Sequence, residues 1–243
     1  MGKPEIEAFL SHLVLKRNVA SSTQNQAFNA ILFLYNSVLE TDNPQDINAL
    51  RSKKPIRLPT IMTREETLNL IRSMHGTHQL MAKLMYGSGL RMMECIRLRV
   101  KDIDFAVNQI IVRDGKGKKD RITVLPDGVK AALKEHLVYV KRLHQNDSDA
   151  GYGRVYLPNA LARKYPNADR QWGWQYAFPA KTLSEDPRSG MKRRHHLHVS
   201  SIQKAIRKVV KLCAIVKPVG CHTMRHSGVY PPRADHPSLA GWL

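Results

Sequence analysis

The residues best suited to chemistry lie near the end of the chain, in the segment Cys221-His222-Thr223-Met224-Arg225-His226-Ser227. His222 and Arg225 are three positions apart, so on a helix they share one face. From that face an imidazole and a guanidinium can hold one phosphate with two donors and stabilise the charge that grows on it. The same spacing is common between surface neighbours without a function, so the segment alone leaves both interpretations open.

Two earlier segments supply further cations. In Gly87-Ser88-Gly89-Leu90-Arg91 the glycines allow a sharp turn into a helix, and an arginine in its first turn can present a planar fork to a phosphate. Lys116 lies in Asp114-Gly115-Lys116-Gly117-Lys118-Lys119, where a lysine held by a tight turn can give a proton to a leaving oxygen. The alternatives are a helix break with a surface arginine and a solvated turn charge.

Mainly helical elements must position these residues. Apolar residues recur at helical spacing in residues 5–17 and 22–38, which predicts two helices in a first domain. A stretch rich in Pro, Asn and Asp near residues 42–60 predicts a linker. The run Thr63-Arg64-Glu65-Glu66 fits a capping box, so a second domain is expected to begin with a helix there.

The second domain also contains strands. Residues 109–113 and 121–125 are rich in β-branched side chains and flank the glycine-rich turn, so they predict a β-hairpin. Helices are predicted at about 128–144 and 199–213, with a polar, aromatic-bearing insertion at about 152–198 between them. We therefore predict a mainly α fold with a small antiparallel β-sheet (α+β).

The composition limits the classes of molecule that the protein is expected to bind. Lys and Arg total 39 against 20 Asp and Glu, a formal net charge of +19. This excess favours a polyanionic partner, because each neutralised phosphate releases condensed counterions. Nucleic acid is therefore preferred over an anionic membrane or a purely solubilising role. The chain has neither an apolar run long enough to span a bilayer nor a secretory segment, so we expect a cytoplasmic protein without a membrane partner.

Cysteine and histidine spacing indicates no metal site. Cys95, Cys213 and Cys221 are too far apart for a zinc knuckle or a disulfide framework. His195 and His196 are adjacent, so their side chains diverge, and no ligand pattern accompanies them. We predict no metal and no other cofactor.

Taken in order, the three segments resemble the active site of the tyrosine recombinases. The matching motifs are Gly-Leu-Arg-x-x-Glu at 89–94, Gly-Lys-Gly-x-Lys at 115–119 and Cys-His-Thr-x-Arg-His-Ser at 221–227. The wider match, which includes residues 5–10, 22–27, 84–91 and 191–196, resembles the integron integrases specifically. The resemblance covers residues 3–227. It implies site-specific exchange of DNA strands between a platform site and mobile gene cassettes, in the bacterial cytoplasm and associated with the nucleoid.

The resemblance also implies a fold and roles. Residues 59–243 would form the catalytic domain, preceded by a partial helical core-binding domain at 1–58, and relatives act as homotetramers on DNA. The two arginines would bind the non-bridging oxygens of the scissile phosphate, and His222 would assist that stabilisation or proton transfer. Lys116 would protonate the departing 5′ oxygen, and Glu94 would orient neighbouring groups. The implied catalytic set is Arg91, Lys116, His222 and Arg225.

The chain departs from the family pattern at both ends. In the family the last motif leads into an apolar helix, a second histidine and the nucleophilic tyrosine, whereas here Gly228-Val229-Tyr230-Pro231-Pro232 follows. Tyr230 comes too soon after Arg225, and the two prolines prevent the helix from continuing. We therefore expect a chain that is truncated at both ends, binds DNA and lacks the nucleophile, with out-of-frame residues after Ser227. The alternatives are a non-catalytic DNA-binding remnant and a defective gene product without a function.

A larger set of residues is predicted to contact DNA. Flat aromatic faces beside cations in the insertion suit stacking on unpaired bases, and the resemblance associates this region with the extrahelical bases of folded single-stranded cassette sites. The alternative is that the aromatic side chains pack under the insertion and the histidines form a solvated loop. The predicted DNA-binding residues are Lys53, Lys54, Lys118, Lys119, Arg121, Trp172, Trp174, Arg193, Arg194, His195, His196 and Lys204.

Overall fold

The computed structural model describes residues 2–40, 47–52, 60–115, 117, 119–158 and 161–229. The chain divides into two compact units, Met1–Leu58 and Pro59–Leu243. No helix among these described ranges has the length and apolar character needed to cross a membrane.

The first unit is built on two helices, α1 (Lys3–Leu15) and α2 (Ser21–Phe33), and a single π-helical turn continues α2 to Val38. A buried glutamine, Gln24, holds the unit together. Its amide nitrogen donates to the carbonyl oxygens of Leu10, at 3.1 Å, and Leu50, at 2.6 Å. The side chain thereby ties the segment at residues 47–52 to both helices.

The second unit begins with three helices, α3 (Arg64–Arg72), α4 (Gly76–Gly87) and α5 (Met92–Ile96). The predicted capping box is confirmed, because Thr63 Oγ1 accepts from the Glu66 amide at 3.1 Å and Glu66 Oε2 accepts from the Thr63 amide at 2.7 Å. Helix α4 forms the centre of the core, and its last two turns are almost completely buried.

A three-stranded antiparallel sheet follows, formed by β1 (Ile103–Asp104), β2 (Gln109–Val112) and β3 (Arg121–Val124) in that order. The predicted hairpin is confirmed, with Val112 opposite Arg121 and Gln109 opposite Val124. This register places Arg121 at the base of the glycine-rich turn. Ile110 and Val112 face the core, whereas Ile122 and Val124 face outward.

The rest of the second unit combines long helices with the insertion. The insertion has its own small core of Val155, Leu157, Ala168 and Tyr176, and isolated bridges pair Arg99 with Tyr176 and Pro179 with His196. The mainly helical architecture with small antiparallel sheets confirms the predicted fold class. The remaining elements are α6 (Asp127–Asp149), α7 (Leu161–Lys164), β4 (Ser184–Glu185), β5 (Lys192–Arg193), α8 (Val199–Leu212) and α9 (Cys221–Val229).

Helix α9 packs directly on α4. A Cβ atom added to Gly228 would overlap the carbonyl oxygen of Tyr86, so the two backbones are in contact at this point. Ser227 strengthens the junction, because its hydroxyl accepts from the Met62 amide at 3.0 Å and donates to the Thr223 carbonyl at 2.8 Å. The core therefore fixes the helix that carries His222 and Arg225.

Candidate functional site

Arg91 is held at the start of α5 by Glu94. The loop before it turns through Gly89, whose φ of +62° suits glycine. Glu94 Oε2 accepts from the Arg91 backbone amide at 2.8 Å, and Glu94 Oε1 accepts from Arg91 Nη1 at 2.7 Å. Both the backbone and the side chain of Arg91 are therefore positioned by one carboxylate, and about a third of the side chain remains exposed.

The same carboxylate binds a second arginine. Arg121 Nη1 and Nη2 donate to Glu94 Oε1 at 2.8 Å and Oε2 at 2.7 Å, in a two-pronged contact. Burial raises the pKa of Glu94, but the hydrogen bonds from Arg121 and Arg91 outweigh burial and lower that pKa to about 2. Glu94 is consequently ionised at neutral pH, and β3 is tied to α5.

Arg225 reaches the same loop from α9. Its Nε donates to the carbonyl oxygen of Gly89 at 2.8 Å, two residues before Arg91. From the sheet, the hydroxyl of Thr123 donates to the carbonyl oxygen of Ser88 at 2.7 Å. The glycine loop is thus the meeting point of α5, α9 and β3, and it brings the two predicted phosphate-binding arginines together.

His222 lies in the first turn of α9 and is exposed, whereas Arg225, one turn later on the same face, is half-buried. The start of the helix is capped, because Thr223 Oγ1 accepts from the Gly220 amide at 3.1 Å. An imidazole and a guanidinium are therefore presented side by side, as the sequence spacing predicts.

The glycine-rich turn is anchored beside Glu94. The Gly115 amide donates to the Lys119 carbonyl at 3.2 Å, which closes the base of the turn. A Cβ atom on Gly115 would lie 3.7 Å from Glu94 Oε1 and 3.5 Å from Arg121 Nη1, so this backbone passes close to the ion pair. Lys119 is exposed. Other predicted site residues lie outside the described residues: Lys53, Lys54, Lys116, Lys118 and Tyr230.

Helix α8 presents a basic face whose four cations the sequence pattern already placed away from the apolar face, although only Lys204 was predicted to contact DNA. Ile202, Ile206 and Val209 are buried on one side. The cations at positions i, i+3, i+4 and i+7 share the opposite side, a signal that the sequence already contained. These exposed residues are Lys204, Arg207, Lys208 and Lys211.

The two arginines of the insertion that were predicted to contact DNA bind carboxylates of the protein. Arg193 is 3.0 Å from Asp186 and donates to Ser189 Oγ at 2.5 Å. Arg194 donates to both oxygens of Asp147, at 2.5 and 2.7 Å. The latter pair joins the insertion to α6, and contact of either arginine with DNA stays a prediction.

The aromatic residues of the insertion are packed against cations and histidines. Half-buried Trp172 stacks on His144, with ring centroids 6.1 Å apart, and the Lys101 ammonium lies 2.9 Å from the ring centroid of half-buried Trp174. The rings of His195 and His196 lie 4.0 Å apart, and both contact buried Tyr176. Burial lowers the pKa of both histidines, which favours their neutral forms.

Sequence analysis missed Arg99, the residue that fixes the insertion to the segment between α5 and β1. It is 7% exposed, and its guanidinium donates to the carbonyl oxygens of Trp174 at 2.5 Å and Tyr156 at 2.8 Å. It also lies 4.6 Å from the ring centroid of Tyr176. An arginine in an irregular segment gives no pattern that predicts such burial.

A cleft of about 1320 Å³ separates α5 and β2 from the insertion. Its lining combines aromatic rings with cations and also, among the described residues, six carboxylates, so it offers stacking faces for a base and cations for a phosphate beside negative charge. The lining includes Arg97, Lys101, Arg113, Tyr156, Trp174 and His195.

Sequence comparison now identifies the family. The profile described as "Phage integrase family" matches residues 58–229, and the profile described as "Phage integrase, N-terminal SAM-like domain" matches residues 1–45. The chain belongs to the phage integrase family. Membership of these tyrosine recombinases was predicted and is confirmed.

Individual relatives are similar in sequence to this protein along most of its chain. A protein named Integrase/recombinase from Escherichia coli is 44% identical over 229 residues, which are 93% of this chain and 67% of that protein. A Tyrosine recombinase from Thermosipho africanus is 27% identical over 213 residues, covering 85% of this chain and 58% of that protein. The chain therefore spans about two thirds of the length of the first relative and less of the second.

Solved structures share the fold. The XerH site-specific recombinase bound to difH substrate has a TM-score of 0.56 at 18% identity, over 98% of this chain and 65% of that one. The Tn1549 transposon integrase in complex with a circular intermediate DNA has a TM-score of 0.57 at 15% identity, over 93% and 71%. The predicted tyrosine recombinase catalytic fold is confirmed.

Proposed function

We propose that this phage integrase is a site-specific DNA recombinase of the integron integrase type, which grips one phosphate of its site between Arg91 and Arg225. The observation that carries the proposal is the glycine loop. It begins the helix of one arginine, and its Gly89 carbonyl accepts a hydrogen bond from the other. Two arginines fixed to one loop are preorganised for a single phosphate, so little energy is lost in arranging them when DNA binds.

The groups around this grip suit strand transfer. His222 stands one turn from Arg225 and adds a donor to a non-bridging oxygen. Lys116 belongs to a turn whose base is anchored beside Glu94, and in the proposed reaction its ammonium protonates the departing 5′ oxygen. Charge on the phosphate is thus met by fixed cations, without a metal ion.

The duplex arms of the site are proposed to lie along the basic face of α8. Its four cations project from the side opposite the core. Each phosphate that such a cation neutralises releases counterions, which gives affinity without sequence preference. A homotetramer on DNA, as in the family, belongs to the same proposal.

The insertion and its cleft are proposed to receive unpaired bases of a folded single-stranded cassette site. Half-exposed Trp172 and Trp174, together with cations along the cleft, support this proposal. Stacking of a base on an aromatic ring contributes about 1–3 kcal/mol. Arg99 and the Arg194–Asp147 pair would keep these rings in place.

We also propose that this sequence holds its phosphate without cutting it. Tyr230 stands five residues after Arg225 and is followed by two prolines. A nicked hairpin that traps covalent intermediates, followed by a denaturing gel, is expected to show no protein–DNA band. A band that disappears in Tyr230→Phe would contradict this part of the proposal.

The grip is tested on DNA selected by the wild-type chain. A duplex, here called the selected duplex, is recovered from a randomised pool, and each of its phosphates is replaced in turn by an uncharged methylphosphonate. Neutralising one phosphate per half-site, the grip phosphate, is expected to weaken binding about tenfold or more. Arg91→Gln and Arg225→Gln should lose this penalty, whereas exposed Arg142→Gln on α6 should keep it. The grip is wrong if every phosphate contributes equally in the wild-type chain.

The cassette-site part has a separate test. Two hairpins are compared that differ only in whether two bases are unpaired or paired. The unpaired form is expected to bind at least about fivefold more tightly to the wild-type chain, and Trp172→Ala should lose the difference. Tyr139→Ala, which removes an exposed aromatic ring outside the insertion, is the control. Equal binding of both hairpins would leave a duplex-binding recombinase and remove the integron assignment.

A further inference from the structure

Arg121 is engaged within the protein. It was predicted to contact DNA, but its guanidinium forms two hydrogen bonds to Glu94, at 2.7 and 2.8 Å, and the Glu94 side chain is only 7% exposed. A planar fork on a carboxylate is the most directional ion pair available to a protein. Arg121 and Glu94 are 27 residues apart, so this pair is a tertiary contact with a defined geometry.

Glu94 is shared by two arginines with different tasks. Arg91 obtains one side-chain hydrogen bond from this carboxylate, from Nη1 to Oε1, while Arg121 uses both oxygens. A carboxylate without Arg121 would be free to bind Arg91 with both oxygens and to hold its whole guanidinium. That arrangement would draw Arg91 away from a phosphate.

We propose that Arg121 is a positioning residue, which occupies and neutralises Glu94 so that Arg91 offers its guanidinium to the grip phosphate. The inference rests on the proposed function. Arg121 also stands opposite Val112, at the last pair of the hairpin. A Cβ atom added to Gly115 would lie 3.5 Å from Arg121 Nη1 and 3.7 Å from Glu94 Oε1, so the same pair lies beside the start of the glycine-rich turn.

The hairpin supplies a matched control. Arg113 flanks the other side of the turn and donates to Asp102 at 2.7 Å, with Asp120 3.6 Å away. Its partners are separate from Glu94. An Arg113→Gln variant therefore removes a hairpin ion pair of similar kind and leaves the carboxylate of Arg91 untouched. Because Arg113 lines the cleft, this change is allowed to lower the affinity for both the native and the methylphosphonate duplex, and only the ratio of the two affinities serves as the control.

The experiment measures the methylphosphonate penalty, which is the factor by which binding weakens when the grip phosphate of the selected duplex is replaced by a methylphosphonate. In Arg121→Gln and Arg121→Lys the penalty is expected to fall from about tenfold or more to below about threefold, whereas Arg113→Gln keeps the wild-type value. Lysine retains the charge but cannot bind both carboxylate oxygens in one plane. The variant Glu94→Gln/Arg121→Gln, which also removes the competing charge, is expected to recover part of the penalty.

The outcomes separate three roles. A direct DNA contact by Arg121 would lower the slope of log affinity against log salt by about 0.9 in Arg121→Gln, and this result would overturn the inference. If the role of Arg121 is purely structural, the Glu94→Gln/Arg121→Gln variant will show no larger methylphosphonate penalty than Arg121→Gln. Alternatively, both Arg121 variants will unfold while Arg113→Gln stays folded. Either result also overturns the inference. Failure of the proposed function is recognised earlier, because the wild-type chain would then show no grip phosphate.

Discussion

Replacing Gly228 by alanine is expected to separate α9 from α4 and thereby to weaken the phosphate grip. The added methyl group would overlap the carbonyl oxygen of Tyr86 and lie 2.9 Å from its carbonyl carbon. Because both neighbours are backbone atoms, the strain is relieved only if α9 moves by about 1 Å. Such a shift along the bond from Arg225 Nε to Gly89 would stretch it from 2.8 Å to about 3.8 Å, beyond hydrogen-bonding distance.

The expected loss of stability follows from these contacts. Overpacking costs about 1–3 kcal/mol, and a hydrogen bond from a charged group contributes about 1.5–3 kcal/mol. Together they predict a loss of roughly 2.5–6 kcal/mol, which for a unit of this size lowers the Tm by about 5–20 °C. The assay is thermal unfolding followed by circular dichroism, together with the methylphosphonate penalty. Gly220→Ala is the control, because its methyl group would meet no described atom within 4 Å. A Gly228→Ala protein that melts within about 1 °C of wild type and keeps its phosphate grip would refute this account of the α4–α9 contact.

Three further predictions follow from other contacts. The pKa of Glu94 is lowered from 4.5 to about 2, so its ion pairs stabilise the fold fully above pH 4.5. This contribution to the free energy of unfolding should be lost as the pH falls toward 2. Urea titrations across that range should show a smaller loss of stability in Glu94→Gln than in the wild-type chain. Asp147→Asn leaves half-buried Arg194 without its charge partner, although Arg194 keeps its hydrogen bonds to the Ala180 and Lys181 carbonyls, and should cost about 1–3 kcal/mol in urea denaturation, whereas changing both residues to apolar ones should cost less. Lys204→Gln/Lys208→Gln should lower the slope of log affinity against log salt by about 1.8, and an unchanged slope would remove α8 from the DNA interface.

Local patterns predicted the elements around the site. The capping box at Thr63 and Glu66 and the alternating residues of the hairpin act through neighbours a few positions away, so the sequence alone is enough to find them. The spacing of His222 and Arg225 likewise predicted a shared helical face. These features require no knowledge of the tertiary structure.

Tertiary contacts decided the features that the sequence did not predict. Helix α6 was expected to end near residue 144 but continues to Asp149, because His144 stacks on Trp172 and Asp147 binds Arg194 from the insertion. The pairing of Arg121 with Glu94 is similar, since the fork of an arginine finds its carboxylate only after the sheet and α5 have packed. Composition showed the insertion as polar and aromatic, but it could not show that Arg99 is buried.

The charges of the site are suited to a phosphate whose charge increases during reaction. Arg91 and Arg121 both bind Glu94, so these two cations and one carboxylate carry a formal excess of +1, and Arg225 reaches the same loop from α9. A phosphodiester in the ground state carries one negative charge, and its non-bridging oxygens gain charge as an oxygen attacks. Catalysis requires stronger interactions with the transition state than with the ground state, and in the proposed strand-transfer reaction a surplus positive charge held by the fold would provide this difference. This chain is proposed to keep that arrangement while lacking the attacking tyrosine. Without Glu94 the guanidiniums of Arg91 and Arg121 would repel one another. With Glu94 but without Arg121, the carboxylate would neutralise Arg91, the arginine proposed to bind the phosphate.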